Sequence, residues 1–372
     1  MEFNDLLRLV SDNKASDLFI TVGRPPCMKV NGHIRPVAKT VLTAAQTRDL
    51  AYTLMSPEQR EEFRYTKECN FGISAEGIGR FRVSAYVQRD AVAMVLRRIE
   101  TRIPDLEELK LPPILKDLAM IKRGLIIFVG ATGTGKSTSL AAMLGYRNRH
   151  GDGHIITIED PIEYLHHHQG CIVSQREVGI DTESYEVALK NTLRQAPDVI
   201  LIGEIRTREV MEHALTFAET GHLVLSTLHA NNANQALERI LHFFPEERLT
   251  QVLMDLSLNL KAVLAQQLIP RADGNGRRAA VEVLLNTPLV SDLILKGEIH
   301  ELKDLMKRSR EHGMITFDQA LYELYLEGEI TEEDALKYAD SANEVRLMIK
   351  LGDNTLGSRA RDLDAAVLVD DY

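Results

Sequence analysis

Residues 130–137 read G-A-T-G-T-G-K-S between an apolar run, Leu125–Val129, and a helical pattern, which is the setting of a phosphate-binding loop. Its glycines permit positive φ angles, so backbone N–H groups can surround an anion beside the positive end of a helix dipole. Lys136 can reach the β- and γ-phosphates of a nucleotide, and the Ser137 hydroxyl can coordinate Mg²⁺. The motif predicts a bound nucleoside triphosphate with Mg²⁺. The residues predicted to contact the nucleotide in this loop are Gly130, Ala131, Thr132, Gly133, Thr134, Gly135, Lys136, Ser137 and Thr138.

Polar residues also follow the ends of three later apolar runs. Glu163 lies shortly after His154–Ile158, Glu204 follows Val199–Ile202, and His229 closes the fourth run. Ligands of an open parallel sheet bind beyond the carboxyl ends of its strands. We therefore expect these side chains to meet the phosphate-binding loop at one edge of a sheet.

Transfer of a phosphoryl group to water requires one carboxylate to orient the water and another to hold the metal or its water shell. We predict Glu163 for the first role and Glu204, at a Walker B position, for the second. The alternatives are a helix-capping or surface acid for Glu163 and a solvated strand end for Glu204. Asp198 precedes its strand, which is typical of a cap or turn residue.

The histidines admit several interpretations. His222 and His229 flank one predicted strand seven residues apart, which places them on opposite faces and argues against a shared metal. We expect one of them to sense the γ-phosphate and the other to lie near a subunit boundary, with a structural role as the alternative. The run 166–168 is read as a polar loop, because three successive histidines cannot all face one ion.

Arginines from a neighbouring subunit often stabilise charge on the γ-phosphate of ATPases. Arg80 and Arg82 share one face of the predicted strand Gly79–Gln88, and the spacing does not choose between them. A solvated sheet face is the alternative interpretation. Arg194 is a further candidate.

Composition restricts the class of protein. The 372 residues are 44% apolar and 26% charged, with a net charge of −10, which argues against a broad nucleic-acid surface. No apolar run approaches the roughly 18 residues of a transmembrane helix, and the N-terminus lacks a signal-peptide pattern. The three dispersed cysteines, Cys27, Cys69 and Cys171, indicate free thiols in a reducing compartment. The cytosol is the expected location.

The patterns divide the chain into successive blocks. The predicted divisions are an α+β domain at 1–99, a proline-containing linker at 100–113, an ATPase core at 114–288, a helical region at 289–350 and a disordered tail at 351–372. The core alternates apolar runs with helical patterns, so we expect a mainly parallel sheet covered by helices.

Four motifs in order and spacing resemble the conserved boxes of the secretion ATPase superfamily. They are the Walker A loop at 130–137, I-T-I-E-D-P-I-E-Y at 156–164, D-V-I-L-I-G-E-I-R at 198–206 and T-G-H-L-V-L-S-T-L-H-A at 220–230. S-D-L-F-I-T at 16–21 and G-R-F-R-V-S-A-Y at 79–86 resemble the N-terminal domain of that superfamily. The resemblance implies an α/β fold with a RecA-like P-loop core, a small PAS-like α+β domain before it and a helical C-terminal region.

Within the superfamily, the short N-terminus and the missing tetracysteine motif resemble the PilT/PilU family of pilus retraction ATPases. Residues 289–294 read L-V-S-D-L-I, whereas the PilT pattern has A-I-R-N-L-I, and the chain continues past Lys350. Both departures are similar to the PilU-like branch.

The resemblance implies a homohexameric motor that hydrolyses ATP with Mg²⁺ to retract a type IV pilus during twitching motility. It also implies work alongside a PilT-like paralogue and docking on a PilC-like platform protein at the cytoplasmic face of the inner membrane. A motor of this family binds ATP between two subunits, without nucleic acid or a transmembrane segment.

Individual roles also follow from the resemblance. Glu163 would be the catalytic base and Glu204 the Walker B acid, while His222 and His229 would sense nucleotide and subunit contact. Arg82 and Arg97 would reach into a nucleotide site, and the resemblance favours Arg82 over Arg80. Two alternative functions are an ATP-binding accessory subunit of a PilT-like ring and a nucleic-acid translocating motor.

Overall fold

The computed structural model describes residues 3–30 and 32–352. The chain forms two compact units. The first contains the chain up to Ile103 together with Glu159–His167 and Gln175–Ala188; the second contains Pro104–Ile158, His168–Ser174 and the chain from Leu189. The two later segments of the first unit fall inside the predicted 114–288 core, so the structure divides the chain differently there. The predicted tail lies, from residue 353, outside the described residues.

The first unit contains a six-stranded sheet in which every neighbouring pair is antiparallel. Its strands are β1 (Asp17–Ile20), β2 (Cys27–Val30), β3 (His33–Pro36), β4 (Glu68–Ala75), β5 (Gly79–Gln88) and β6 (Ala91–Arg98). Their order across the sheet is β3-β2-β1-β6-β5-β4. This confirms the predicted antiparallel α+β fold.

The part of this unit before Ile103 contains the helices α1 (Phe3–Asp12), α2 (Ala44–Leu54) and α3 (Pro57–Thr66). Capping boxes at Thr43 and Ser56 start α2 and α3, since each side chain accepts the N3 backbone N–H. Alternation along β5 buries Phe81 in the core cluster that also contains Leu7 of α1, and it leaves Arg80 and Arg82 on the other face of the strand. Full burial of side chains of this size contributes about 1.5–3 kcal/mol each.

The second sheet has seven strands: β7 (Gly124–Val129), β8 (His154–Glu159), β9 (Ile172–Glu177), β10 (Val199–Ile202), β11 (Leu223–Leu228), β12 (Leu260–Pro270) and β13 (Arg277–Leu285). Their order is β13-β12-β7-β11-β10-β8-β9. Strands β12, β7, β11, β10 and β8 run parallel, and β13 runs antiparallel to β12. The four predicted strands are confirmed. The β12–β13 hairpin was not predicted.

The helices after residue 104 are α4 (Ile114–Met120), α5 (Lys136–His150), α6 (Tyr185–Thr192), α7 (Arg208–Glu219), α8 (Ala233–Leu241), α9 (Glu246–Asn259), α10 (Pro288–Lys296), α11 (Leu302–Arg308), α12 (Phe317–Leu326) and α13 (Glu332–Tyr338). A further helix occupies residues 342–352. The core of the second unit packs Leu140 and Met143 of α5 against Ile126 and Phe128 of β7. Strand β7 is buried along its whole length, so the chain reaches the sheet edge only after Val129, where the next loop begins.

Candidate functional site

The phosphate-binding loop lies between β7 and α5. Gly130 has φ 152°, and a Cβ there would lie 2.6 Å from the Gln266 backbone oxygen and 2.6 Å from the Thr134 Oγ1. Gly133 and Gly135 have φ angles of 80° and 86°. These backbone conformations exclude side chains and open the N-terminus of α5 toward the loop, as an anion site requires.

Lys136 is 9% exposed and lies inside the loop. Its Nζ donates to the backbone oxygens of Gly130 at 2.7 Å and of Ala131 at 2.8 Å. The Thr134 hydroxyl also donates to the Ala131 oxygen, at 2.9 Å. The loop backbone therefore holds the ammonium group inside the loop, where an anion would bind.

Gln266 on β12 supports the loop and was missed by the sequence reasoning. Its Nε2 donates to the Thr134 oxygen at 2.9 Å, and its Oε1 accepts from the Ser139 hydroxyl at 2.7 Å. The side chain is 2% exposed, so one buried amide ties the loop to the first turns of α5. A polar Gln266-Gln267 pair within an apolar run was the available signal.

Glu204 follows β10 and lies between two cationic or titratable groups. Its Oε1 is 3.1 Å from the His229 Nε2, and its Oε2 accepts from the Arg206 Nε at 2.9 Å. The carboxylate is 17% exposed. Arg206, which was not singled out from the sequence, therefore fixes the second oxygen of the predicted Walker B acid.

Hydroxyl groups of β11 align the strand ends that carry this pair. The Ser226 hydroxyl donates to the Ile202 oxygen at 2.8 Å, and the Thr227 hydroxyl donates to the Gly203 oxygen at 2.7 Å. Both hydroxyls are buried, so neither bond competes with water. Gly203, which precedes Glu204, is thus hydrogen-bonded to Thr227, two residues before His229.

The parallel register brings the phosphate-binding loop, Glu204 and His229 to one edge of the sheet. Leu228 pairs with Val129, so His229 and the phosphate-binding loop leave the sheet at the same end. A cleft of about 560 Å³ lies there, and among its lining residues are Gly130, Thr132 and His229. A second cleft, of about 250 Å³, lies beside Thr138 and Arg271.

Two further candidates, His222 and Arg194, lie away from the phosphate-binding loop of their own chain, and their roles stay predictions. Leu223 pairs with Gly124 at the amino end of the strands, so His222 lies at the sheet edge opposite the loop, where its Nδ1 is 3.0 Å from the Phe217 oxygen. Arg194 is in a 3₁₀ turn before β10, at that same amino edge. Neither residue joins the phosphate-binding loop of its own chain, because strand direction separates them from it.

Glu163 belongs to the first unit and is exposed. The neighbouring Ile162 N–H donates to Glu177 Oε2 at 3.2 Å, which anchors the segment carrying Glu163. Glu177 is 1% exposed, and burial raises the pKa of its carboxyl group. A buried carboxylate with one backbone donor thus holds this part of the chain.

Arg82 and Arg97 lie directly opposite each other on β5 and β6 and share one face of the first sheet. The Arg82 Nε lies 3.7 Å from Glu177 Oε1, and the Arg97 Nε donates to Asp17 Oδ1 at 2.9 Å. The Arg97 side chain is 71% exposed. The two predicted arginines are therefore neighbours, each beside one carboxylate.

Asp198 and His166 have surroundings typical of residues that stabilise the fold. The Asp198 carboxylate accepts the His154 N–H at 2.7 Å, as expected of a turn residue. Burial, with a contribution from His167, lowers the pKa of His166 to about 4, so it is neutral near pH 7. Across residues 3–30 and 32–352, no group of three His, Cys, Asp or Glu side chains has an arrangement that could bind a metal, and no helix has the length and hydropathy of a membrane span.

Comparisons with known proteins agree with these motifs. The family of type II/IV secretion system proteins matches residues 3–333. The type IV pilus ATPase PilU of Pseudomonas aeruginosa is 69% identical over 375 aligned residues, covering 100% of this chain and 98% of the relative. The type IV pilus retraction ATPase PilT of the same organism is 39% identical, covering 91% and 98%. A crystal structure of the pilus retraction motor PilT with bound ADP has a TM-score of 0.86 at 38% identity, covering 93% and 99%.

Proposed function

Because the chain belongs to the type II/IV secretion system protein family, and within it to the type IV pilus retraction ATPases, we propose that its phosphate-binding loop is the catalytic site of a pilus motor. The observation that carries the proposal is the meeting of Lys136 and the Glu204–His229 pair at one edge of the sheet. The chain hydrolyses ATP to retract a pilus.

The loop fits a triphosphate with Mg²⁺. Positive-φ glycines and the first turn of α5 supply N–H donors, and Lys136 exchanges the oxygens of Gly130 and Ala131 for phosphate oxygens. Ser137 and, through water, Glu204 would hold Mg²⁺, which would supply charge neutralisation at the β- and γ-phosphates.

The cleft beside Thr138 receives the nucleoside. Its lining includes Thr138 and Ser139 of α5, whereas the lining of the larger cleft includes Gly130, Thr132 and His229. The γ-phosphate would then lie toward His229, and Glu163 would orient the attacking water. His229 reports the γ-phosphate to Glu204 through their contact.

Arg82 and Arg97 act on the nucleotide of a neighbouring subunit in a homohexamer. Arg97 is largely exposed, and both arginines have side chains on the same sheet face. Each interface would then combine the loop of one chain with the arginines of the next, so that turnover requires assembly.

The motor works at the cytoplasmic face of the inner membrane on a PilC-like platform protein, together with a PilT-like paralogue. The similarity to PilU, at 69% against 39% for PilT, supports this pairing. The linker at 100–113 is a hinge between rigid bodies that changes angle with the bound nucleotide.

The test is steady-state hydrolysis by the purified full chain. Lys136→Ala removes the phosphate-binding cation, so turnover falls by roughly 10²–10³-fold. Glu204→Gln keeps binding of a fluorescent ATP analogue but slows hydrolysis. Lys122→Ala is the control, because this exposed lysine lies before β7, at the edge opposite the loop. Wild-type rates in the Lys136 and Glu204 variants would remove them from the mechanism.

The same assay separates a motor from an accessory subunit. Turnover by the chain alone supports an independent motor. Turnover only in a mixture with a PilT-like ATPase, still abolished by Lys136→Ala in this chain, would assign it the coupling role.

A further inference from the structure

Glu282, on β13, binds the N-termini of two helices at once. Its Oε1 accepts the Ala233 N–H at 2.8 Å, and its Oε2 accepts the Phe317 N–H at 3.1 Å. Ala233 is the first residue of α8 and Phe317 the first of α12. The side chain is 2% exposed, and a carboxylate there interacts favourably with both helix dipoles.

Asp318 repeats this arrangement for a third helix. It is 1% exposed, and its Oδ1 accepts the N–H groups of Asp340 at 2.8 Å and Ser341 at 3.2 Å, directly before helix 342–352. The Lys303 Nζ lies 2.9 Å from Asp340 Oδ2 and 3.6 Å from Asp318 Oδ2. We refer to Glu282, Lys303, Asp318 and Asp340 as the carboxylate hub.

The hub reaches the nucleotide site through the start of α8. Asn232 caps α8 by accepting the Gln235 N–H at 3.0 Å, and it donates to Asp340 Oδ2 at 3.2 Å. The residues just before it, 229–231, line the large cleft beside the phosphate-binding loop. The segment between His229 and α8 is thus only three residues long, and Glu282 fixes its far end through the Ala233 N–H.

This geometry makes the hub sensitive to the C-terminal helices. Glu282 cannot follow a displacement of α12 without lengthening its bond to Ala233, because both oxygens are already used. A buried carboxylate that loses a donor pays a desolvation cost, so partial disengagement is unfavourable. The helices and the segment 229–233 therefore move together.

We propose that Glu282 is a positioning residue for the Glu204–His229 pair, and that the carboxylate hub transmits displacements of α11, α12 and helix 342–352 to that pair. The role of the pair in hydrolysis rests on the proposed function. The coupling between the C-terminal helices and the segment 229–233 does not depend on it. A partner that binds the C-terminal helices would in this way change the rate of hydrolysis without touching nucleotide.

The first test measures amide hydrogen exchange in the full-length chain without nucleotide. Asp318→Asn weakens the hub on the α12 side, and exchange at 230–233 accelerates by about fivefold or more. Glu344→Gln is the matched control. Glu344 also joins α11 to helix 342–352, through Lys307 at 2.6 Å, but no hydrogen bond or ion pair described for it reaches α8. Unchanged exchange at 230–233 in Asp318→Asn would overturn the inference, whether or not the chain hydrolyses ATP.

The second test measures hydrolysis at pH 8. Glu282→Gln removes one of the two acceptors and lowers kcat by roughly tenfold, with KM for ATP changed less than about threefold. Glu282→Asp recovers part of the rate, and Glu344→Gln keeps it. If Glu282→Gln does not fold, Asp318→Asn decides by the same readout.

The outcomes distinguish a failure of this inference from a failure of the proposed function. If Lys136→Ala abolishes turnover while Glu282→Gln and Asp318→Asn keep wild-type kcat, the hub is purely structural and only this inference fails. If the wild-type chain, alone or with a PilT-like ATPase, shows no turnover that depends on Lys136, the proposed function fails, and hydrogen exchange still decides the mechanical coupling.

Discussion

At the scale of single residues, Gln266 is the side chain on which the shape of the phosphate-binding loop depends most directly. Gln266→Ala leaves the Thr134 oxygen and the Ser139 hydroxyl without their buried partner. We expect a loss of about 1–3 kcal/mol in unfolding free energy and weaker binding of a fluorescent ADP analogue by roughly tenfold. Gln251→Ala, on the exposed side of α9, should change neither quantity. Equal nucleotide affinity in the two variants would contradict this role.

Glu282 should give the chain a measurable pH dependence. Burial raises its pKa to about 7, against opposing hydrogen bonds from Ala233 and Phe317. The folded chain then holds a proton that the unfolded chain releases, so the stability contributed by this group is complete below about pH 4.5 and lost as pH rises through about 7. Glu282→Gln should remove about 3 kcal/mol of the change in unfolding free energy between about pH 4.5 and pH 7.

Urea unfolding at a series of pH values checks this slope. The neighbouring charged groups Lys303, Asp318 and Asp340 remain in the variant, so the difference between the two curves isolates Glu282. Glu344→Gln should keep the wild-type slope. Parallel curves for wild type and Glu282→Gln would show that the carboxyl titrates alike in both states.

Residue types near the loop were readable from the sequence because the motif and its strand lie together in the chain. Lys136, Glu204 and His229 were predicted in this way, and the parallel register places them at one edge. Gln266 and Glu282 were missed, because their hydrogen-bond partners lie more than thirty residues away in the chain. The polar Gln266-Gln267 pair marks an unusual position but does not identify those partners. Glu163 stays a prediction.

At the scale of elements, the sheet of the first unit and the segment Gln175–Ala188 are joined by the charges of Arg82 and Glu177. If Arg82 acts on nucleotide, Glu177 orients it. Glu177→Gln should then lower kcat in the wild-type background and have little effect beside Arg82→Gln, giving a coupling energy of about 1 kcal/mol.

A matched pair provides the control for this cycle. Asp49 lies 3.3 Å from Arg48 on α2, and no contact described for it involves Glu177 or Arg82, so Asp49→Asn should add independently to Arg82→Gln. Steady-state kcat of the single and double variants gives both couplings. Additive effects for Glu177 and Arg82 would mean that the buried carboxylate serves only the Ile162 backbone.

The predicted strands carry local signals at their ends, whereas the missed β12–β13 hairpin carries one only at its turn, where residues 273–276 read D-G-N-G. Short apolar runs with turn residues gave β7, β10 and β11. The β12–β13 hairpin was missed because Leu260 begins β12 directly after α9, with no turn residue and a composition shared with helices. Its position beside β7 is set by long-range pairing.

At the scale of the whole molecule, the similarity to PilU confirms the branch that the sequence indicated. The L-V-S-D-L-I sequence at 289–294 and the extra length pointed away from PilT, and the identities of 69% and 39% agree. Length and motif order are global properties, which is why a single sequence revealed them. Assembly requires a second copy of the chain and therefore needs its own test.

Mixing two inactive variants tests assembly and the arginine role together. Chains with Arg82→Ala keep an intact loop, and chains with Lys136→Ala keep the arginine. If Arg82 serves the neighbour's nucleotide, rings reassembled from an equal mixture contain competent interfaces, about one quarter of the total. ATP turnover should therefore reappear on mixing.

Lys136→Ala mixed with Glu204→Gln is the control, because both residues belong to one chain's site and no interface regains both. Recovery in neither mixture would place Arg82 in its own chain's site or outside the mechanism, and recovery in both would mean that Glu204 also acts across the interface.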